Sequence, residues 1–277
     1  MMNNISTIST IKKERESNFE LCRLVCMFYI VFYHLIIHVP GLYQEVSWAR
    51  PLRTLMHIGV VVFVMISGYF GIRRSLRGFL KIALAVSFYN LFGILVAHFV
   101  YEQPFELISL LTVLLPVSNG GYWFITTYVI LFLLSPYVNQ VLDSLEKRNY
   151  WVYLTTLAVL VFYFGGIHQL EICDGRGILA FLLSYSIGHF IHRFFPNGAN
   201  IPIVRNYPVL CYLVLCTIIY ILIAFTPTFI CRGINFLSFG YNEIGLYVMS
   251  ILFFLAFQSI KIRAHPDFSV AAHTAHA

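Results

Sequence analysis

An all-α integral membrane fold, a polytopic helical bundle, is what this 277-residue sequence predicts. Three observations predict it. Charged residues make up 11% of the chain, where soluble domains run at about a quarter. Hydrophobic residues make up 59%, and the mean hydropathy is +0.79. Apolar runs of about 17 to 25 residues, the length that crosses a hydrocarbon core of about 30 Å, recur from one end of the chain to the other. They leave no room for a separate soluble domain.

Taken in order, the runs predict eight membrane helices at about 20–39, 53–72, 79–101, 121–141, 150–167, 178–195, 208–228 and 243–260. The segment Phe105–Pro116 is too short to span and reads as an interfacial or re-entrant piece packed on the bundle. No small-residue cleavage site follows the first apolar run, so that run reads as a retained helix. The expected division is a cytoplasmic N-terminal segment over 1–17, a transmembrane domain over 18–262 and a polar C-terminal tail over 263–277.

The formal charge of +6 invites a nucleic acid or an anionic surface, but its distribution answers to topology. Lys12, Lys13, Arg15, Arg73, Arg74, Arg77, Lys81, Lys147, Arg148, Arg193, Arg205, Lys261 and Arg263 fall on one side if the N-terminus is cytoplasmic. Arg50, Arg53, Arg176 and Arg232 fall on the other, with Arg23 set aside as intramembrane. Such a bias is the positive-inside signature, and it predicts that both termini are cytoplasmic. Nucleic-acid binding is not expected.

The six cysteines show no metal-type C-x-x-C pair. Cys22, Cys26, Cys211 and Cys216 read as small buried hydrophobes, while Cys173 and Cys231 fall in outer loops where a disulfide is conceivable. The histidines of the tail lack a metal-site spacing, so no metal is expected.

The first helix, FELCRLVCMFYIVFYHLIIH, carries the chemistry. At about 100° per residue with Arg23 as origin, His34 falls at about 20°, and Glu20 and His38 at about 60°. All four share one stripe. At about 1.5 Å per residue, the Arg23-x10-His34 spacing sets guanidinium and imidazole about 16.5 Å apart along the axis. Ionisable groups inside a bilayer cost kilocalories each and normally face a protein interior or a wet cavity. The bland alternatives are an interfacial Glu20–Arg23 pair that anchors the helix and histidines that bond a neighbouring helix, which is the favoured reading for His38. His57, His98, His168, His189 and His192 show no partner pattern.

These residues resemble the acyltransferase-3 family of membrane O-acyltransferases, which decorate bacterial lipopolysaccharide, capsule, peptidoglycan and related glycans. The signature is an acidic residue, two residues, Arg, ten residues and His, here Glu20, Arg23 and His34. VVVFVMISGYF is similar to the family's F-x-x-S-G-[FY] stretch, with Ser67, Gly68 and Tyr69 in its last positions. Arg74-x-x-Arg77 follows as the family's R-x-x-R. YWFITTYVILFLLSP resembles the W-F-[IL] opening and closing proline, here Trp123, Phe124 and Pro136, and weaker matches continue at Tyr185 and Gly188. Family members usually have ten membrane helices and a late F-G-x-Y-L-x-H segment. Eight helices and an unrelated tail therefore point to a C-terminally truncated member.

The resemblance implies a multi-pass protein of the bacterial inner membrane that moves an acyl group, acetyl being the expected one, from acyl-CoA to a glycan or lipid-linked sugar hydroxyl. No cofactor is expected to stay bound, acetyl-CoA being the donor cosubstrate, and the acceptor is often extracytoplasmic. His34 is the expected base, with Arg23 and Glu20 completing the catalytic set. Arg23, Arg74 and Arg77 are expected at the donor's phosphates, since guanidinium forks suit them, although basic cytoplasmic loops also follow from topology alone. Ser67, Tyr69 and Trp123 are the expected substrate contacts. Ser67 beside Gly68 also fits close helix packing, the favoured reading for it, and Trp123 an aromatic belt. Direct transfer and an acyl-histidine intermediate use the same residues. A flippase of a lipid-linked sugar, or an inactive truncated member, would share the stripe.

Overall fold

The computed structural model describes residues 17–39, 49–102, 104, 122–196, 202–225, 230–231, 234–235 and 240–260. The elements are α1 (Ser17–His38), α2 (Ala49–Met56), α3 (Ile58–Phe70), α4 (Leu76–Tyr101), α5 (Trp123–Ser144), α6 (Lys147–Ala158), α7 (Ile178–Phe194), α8 (Pro202–Asn206), α9 (Pro208–Phe225) and α10 (Ile244–Ser259). A π-helical stretch, Val159–Ile167, continues α6, and a short 3-10 turn covers Glu171–Cys173. Two-residue strands β1 (Ile230–Cys231) and β2 (Ile234–Asn235) pair antiparallel.

Five helical stretches are long and apolar enough to cross a membrane: Ser17–His38, Pro51–Phe70, Leu76–Val100, Trp123–Ser144 and Lys147–Ile167. Ile178–Phe194, Pro208–Ile221 and Ile244–Ser259 are apolar and shorter. Each of the eight apolar runs read from the sequence carries one of these helices. The interfacial segment Phe105–Pro116, residues 1–16 and the tail 263–277 lie outside the described residues.

The centre of the bundle is α3, packed on α7, α1 and α10. What lets α3 and α7 approach is a reciprocal pair of glycines. A Cβ at Gly68 would stand 1.9 Å from the carbonyl oxygen of Tyr185, and one at Gly188 would stand 1.9 Å from that of Met65. Small residues do this work between membrane helices because lipid offers no hydrophobic drive for helices to associate. Around the pair, Met65, Ile66, Leu183, Tyr185 and Phe254 are buried.

Four details differ from the sequence reading. The second run is broken at His57, a turn residue between α2 and α3. The helix expected over 121–141 carries Pro136 inside it, as α5, and continues to Ser144. A proline removes the N–H that would bond the carbonyl four residues back, here that of Phe132; the Ser135 hydroxyl donates to that carbonyl at 2.7 Å, so the helix passes through. The run 150–167 turns π at Val159, and the carbonyl of Gly165 accepts from Asn242 Nδ2 at 2.8 Å. The fourth concerns sulfur: Cys173 is a free, buried thiol, so it forms no disulfide.

Candidate active site

Helix α1 turns Phe19, Cys22, Cys26 and Ile36 toward the core, which fixes where its polar stripe can go. Arg23 is half-buried, and Glu20, His34 and His38 are exposed, so the stripe runs up the flank of the buried face and the described residues leave it largely open. Glu20 Oε1 accepts from Arg23 Nη1 at 2.6 Å. With the two side chains 48% and 35% exposed, that pair orients the guanidinium more than it stabilises the fold. The guanidinium carbon also lies 5.4 Å from the Phe70 ring centroid.

Phe70 ends α3, and the chain leaves it through Gly71, whose φ of +72° suits a residue without a Cβ. Ile72 follows, then Arg73 and Arg74, both exposed. Ser75 caps α4, its Oγ accepting from the Gly78 N–H at 3.0 Å, and Arg77 sits in the first turn of that helix. Arg23, Arg74 and Arg77 are thereby gathered at the Ser17 end of the bundle.

Ser67 Oγ reaches the Phe63 carbonyl at 3.1 Å and the Tyr128 hydroxyl at 3.2 Å, tying α3 to α5. Both contacts are of the kind that packing requires. Tyr69 is buried in an aromatic cluster, 4.8 Å from Phe19, 5.4 Å from Phe254 and 4.7 Å from His192 between ring centroids. Of the three expected substrate contacts, Tyr69 is buried and Ser67 half-buried in helix packing, and Trp123 stands apart from them at the other end.

At the His38 end, a row of rings links α1 to Trp123. The His34 ring meets Tyr33 edge-on at 5.4 Å and stacks on His38 at 5.7 Å. Tyr33 stacks on His57 at 4.9 Å, His57 meets Tyr241 at 4.1 Å, and Tyr241 meets Trp123 at 5.1 Å. Arg176 lies over the Trp123 indole at 5.8 Å, and its carbonyl accepts from Thr127 Oγ1 at 3.0 Å. Burial pushes the Tyr241 phenol up, which keeps it a neutral hydroxyl. His57, Tyr241 and Arg176 were missed from the sequence because each comes from a different element with no shared period; the one available hint was a histidine at the start of a spanning run.

A second polar group closes the Ser17 end. His189 Nε2 stands 3.1 Å from Asp143 Oδ1, and its Nδ1 stands 3.1 Å from the hydroxyl of the fully buried Tyr150. That hydroxyl also donates to the Ser186 carbonyl at 3.0 Å, and Arg193 donates to the Leu142 carbonyl at 2.7 Å. The group binds the ends of α5, α6 and α7 together.

The family model of the acyltransferase-3 type, described as an acyltransferase domain, matches residues 16–272, nearly the whole chain. No curated protein and no solved structure matches it. The match spans the stripe of α1, the Ser67–Gly68–Tyr69 turn, the arginine loop, Trp123 and part of the region after residue 263. The chain belongs to the acyltransferase-3 family, a family of acyltransferases carried on membrane helices.

Proposed function

We propose that this protein is a membrane O-acyltransferase that carries an acyl group, acetyl in the simplest case, from a coenzyme A thioester to a hydroxyl of a cell-surface glycan or lipid-linked sugar. Its place is the bacterial inner membrane, crossed eight times with both termini in the cytoplasm, as the distribution of Lys and Arg favours. One observation carries the reading. A single helix, α1, presents Arg23 beside the arginine loop at one end of the bundle and His34 at the head of the ring row at the other.

Donor phosphates belong at the Ser17 end, where Arg23, oriented by Glu20, adds to Arg74 and Arg77. The acceptor belongs at the His38 end, where a sugar ring can stack on Trp123 beside Arg176. His34 takes the hydroxyl proton as the oxygen attacks the thioester carbonyl; the carbon–sulfur bond then breaks and the leaving thiolate takes the proton back. The donor's long acyl-bearing arm runs along the stripe between the two ends.

The test is release of free thiol from acetyl-CoA by purified protein with an acceptor glycan. His34→Ala is expected to lower turnover by about 100-fold or more while coenzyme A binding persists, in line with loss of a general base. Full turnover in that variant ends the proposal, and sugar translocation with no dependence on coenzyme A identifies a flippase instead.

A further inference from the structure

The loop that carries the arginines is held by more than its two helix ends. The Ile72 N–H donates to the Tyr185 hydroxyl at 2.9 Å. The Ile72 carbonyl accepts from Asn139 Nδ2 at 3.0 Å. The Tyr185 hydroxyl in turn donates to Asn139 Oδ1 at 2.6 Å. Three groups from the loop, α5 and α7 thus close a ring in which the hydroxyl proton and both ends of the amide are used, and the partners themselves dictate which way the amide points.

The ring sits where it constrains the loop most. Tyr185 is fully buried, and its backbone carbonyl is the atom that abuts Gly68, one turn before Ile72. Its side chain and backbone therefore grip the last turn of α3 and the residue beyond it. Three residues further on, Ser75 caps α4. Arg74 is strung between these two fixed points, and Arg77 follows in the first helical turn. An exposed loop with two arginines has no reason of its own to keep its shape, since their charges repel and their side chains are long. Apolar packing would hold the loop close without fixing its register, whereas two hydrogen bonds to one residue's N–H and C=O fix both.

We infer that Asn139 and Tyr185 are positioning residues for the donor site, their hydrogen-bonded ring on Ile72 holding Arg74 and Arg77 in the arrangement that receives the phosphates of the coenzyme A nucleotide. This rests on the donor reading above. Neither side chain touches the donor; they act through the loop, by removing the ordering cost that binding would otherwise meet.

Binding of coenzyme A itself is the measurement, on full-length protein in detergent, with hydrogen exchange of the 71–77 backbone as a second readout. Tyr185→Phe removes two bonds of the ring and keeps the ring-shaped bulk. Asn139→Asp keeps the acceptor for Tyr185 and loses donation to Ile72. Each is expected to weaken coenzyme A about tenfold and to speed exchange at 71–77, with His34-dependent turnover at saturating donor unchanged. Arg74→Ala with Arg77→Ala is the reference for loss of the site. Undiminished affinity in both ring variants, against a loss in the double arginine variant, overturns the positioning role and leaves the donor reading standing. Failure of the wild-type protein to bind coenzyme A overturns the donor reading, and the role given to the ring goes with it.

Discussion

Helices α3 and α4 follow each other in sequence, each belongs to a stretch long and apolar enough to cross a membrane, and they meet opposite fates. Most of α3 is buried, from Ile58 to Tyr69. Among the described side chains of α4, Asn90 alone is buried, while Leu84, Phe88, Phe92 and Phe99 stand exposed. In water such a contrast would be read from hydrophobicity. In lipid it cannot be, because a leucine gains nothing by exchanging a lipid tail for a neighbouring helix. The helix that becomes the centre is the one whose backbone can be approached.

Glycine scanning puts this comparison under the greatest strain. Gly188→Ala and Gly68→Ala each drive a methyl into a backbone carbonyl that has no free end to swing away. Each is expected to cost about 3 kcal/mol or more in reversible unfolding from detergent, or to abolish recovery of a folded monodisperse protein. Near-normal stability in either would show that α3 and α7 do not meet as described. A smaller effect is expected at Ser135→Ala, where the Phe132 carbonyl loses its donor beside Pro136, lowering stability by about 1 kcal/mol. The least is expected in α4. A Cβ at Gly93 meets nothing within 4 Å, so Gly93→Ala should be neutral or raise stability slightly, by up to about 1 kcal/mol through helix propensity. A large loss there would mean that α4 is packed as closely as α3.

The same physics marks what the residues alone could tell. Helical segments and the one-sided stripe of α1 follow from length and periodicity, which are properties of a single element. Gly68 was legible as a packing residue because small side chains beside a serine have few other uses in a membrane. Its reciprocal partner was not, since Gly188 and Met65 owe their contact to how α7 lies on α3. His57 and Tyr241 likewise gain meaning through Tyr33 and Trp123, each from a different element. Pro136 leaves its helix unbroken, as the length of the apolar run required, because a hydroxyl one residue away takes up the carbonyl it orphans. The stripe itself was legible, but its exposure was not, because periodicity says which residues share a face and leaves open what that face meets.

Ile72 and Tyr185, joined at the Ser17 end of the bundle, lie 113 residues apart in the chain. A ribosome therefore delivers α3 and its arginines to the bilayer long before the helix that will hold them exists. During that interval the nascent chain has hairpins to offer the insertion machinery but no centre, and any chaperone or protease that patrols the membrane meets α3 with its most approachable backbone bare. The centre of the fold thus cannot close before α7 has been made.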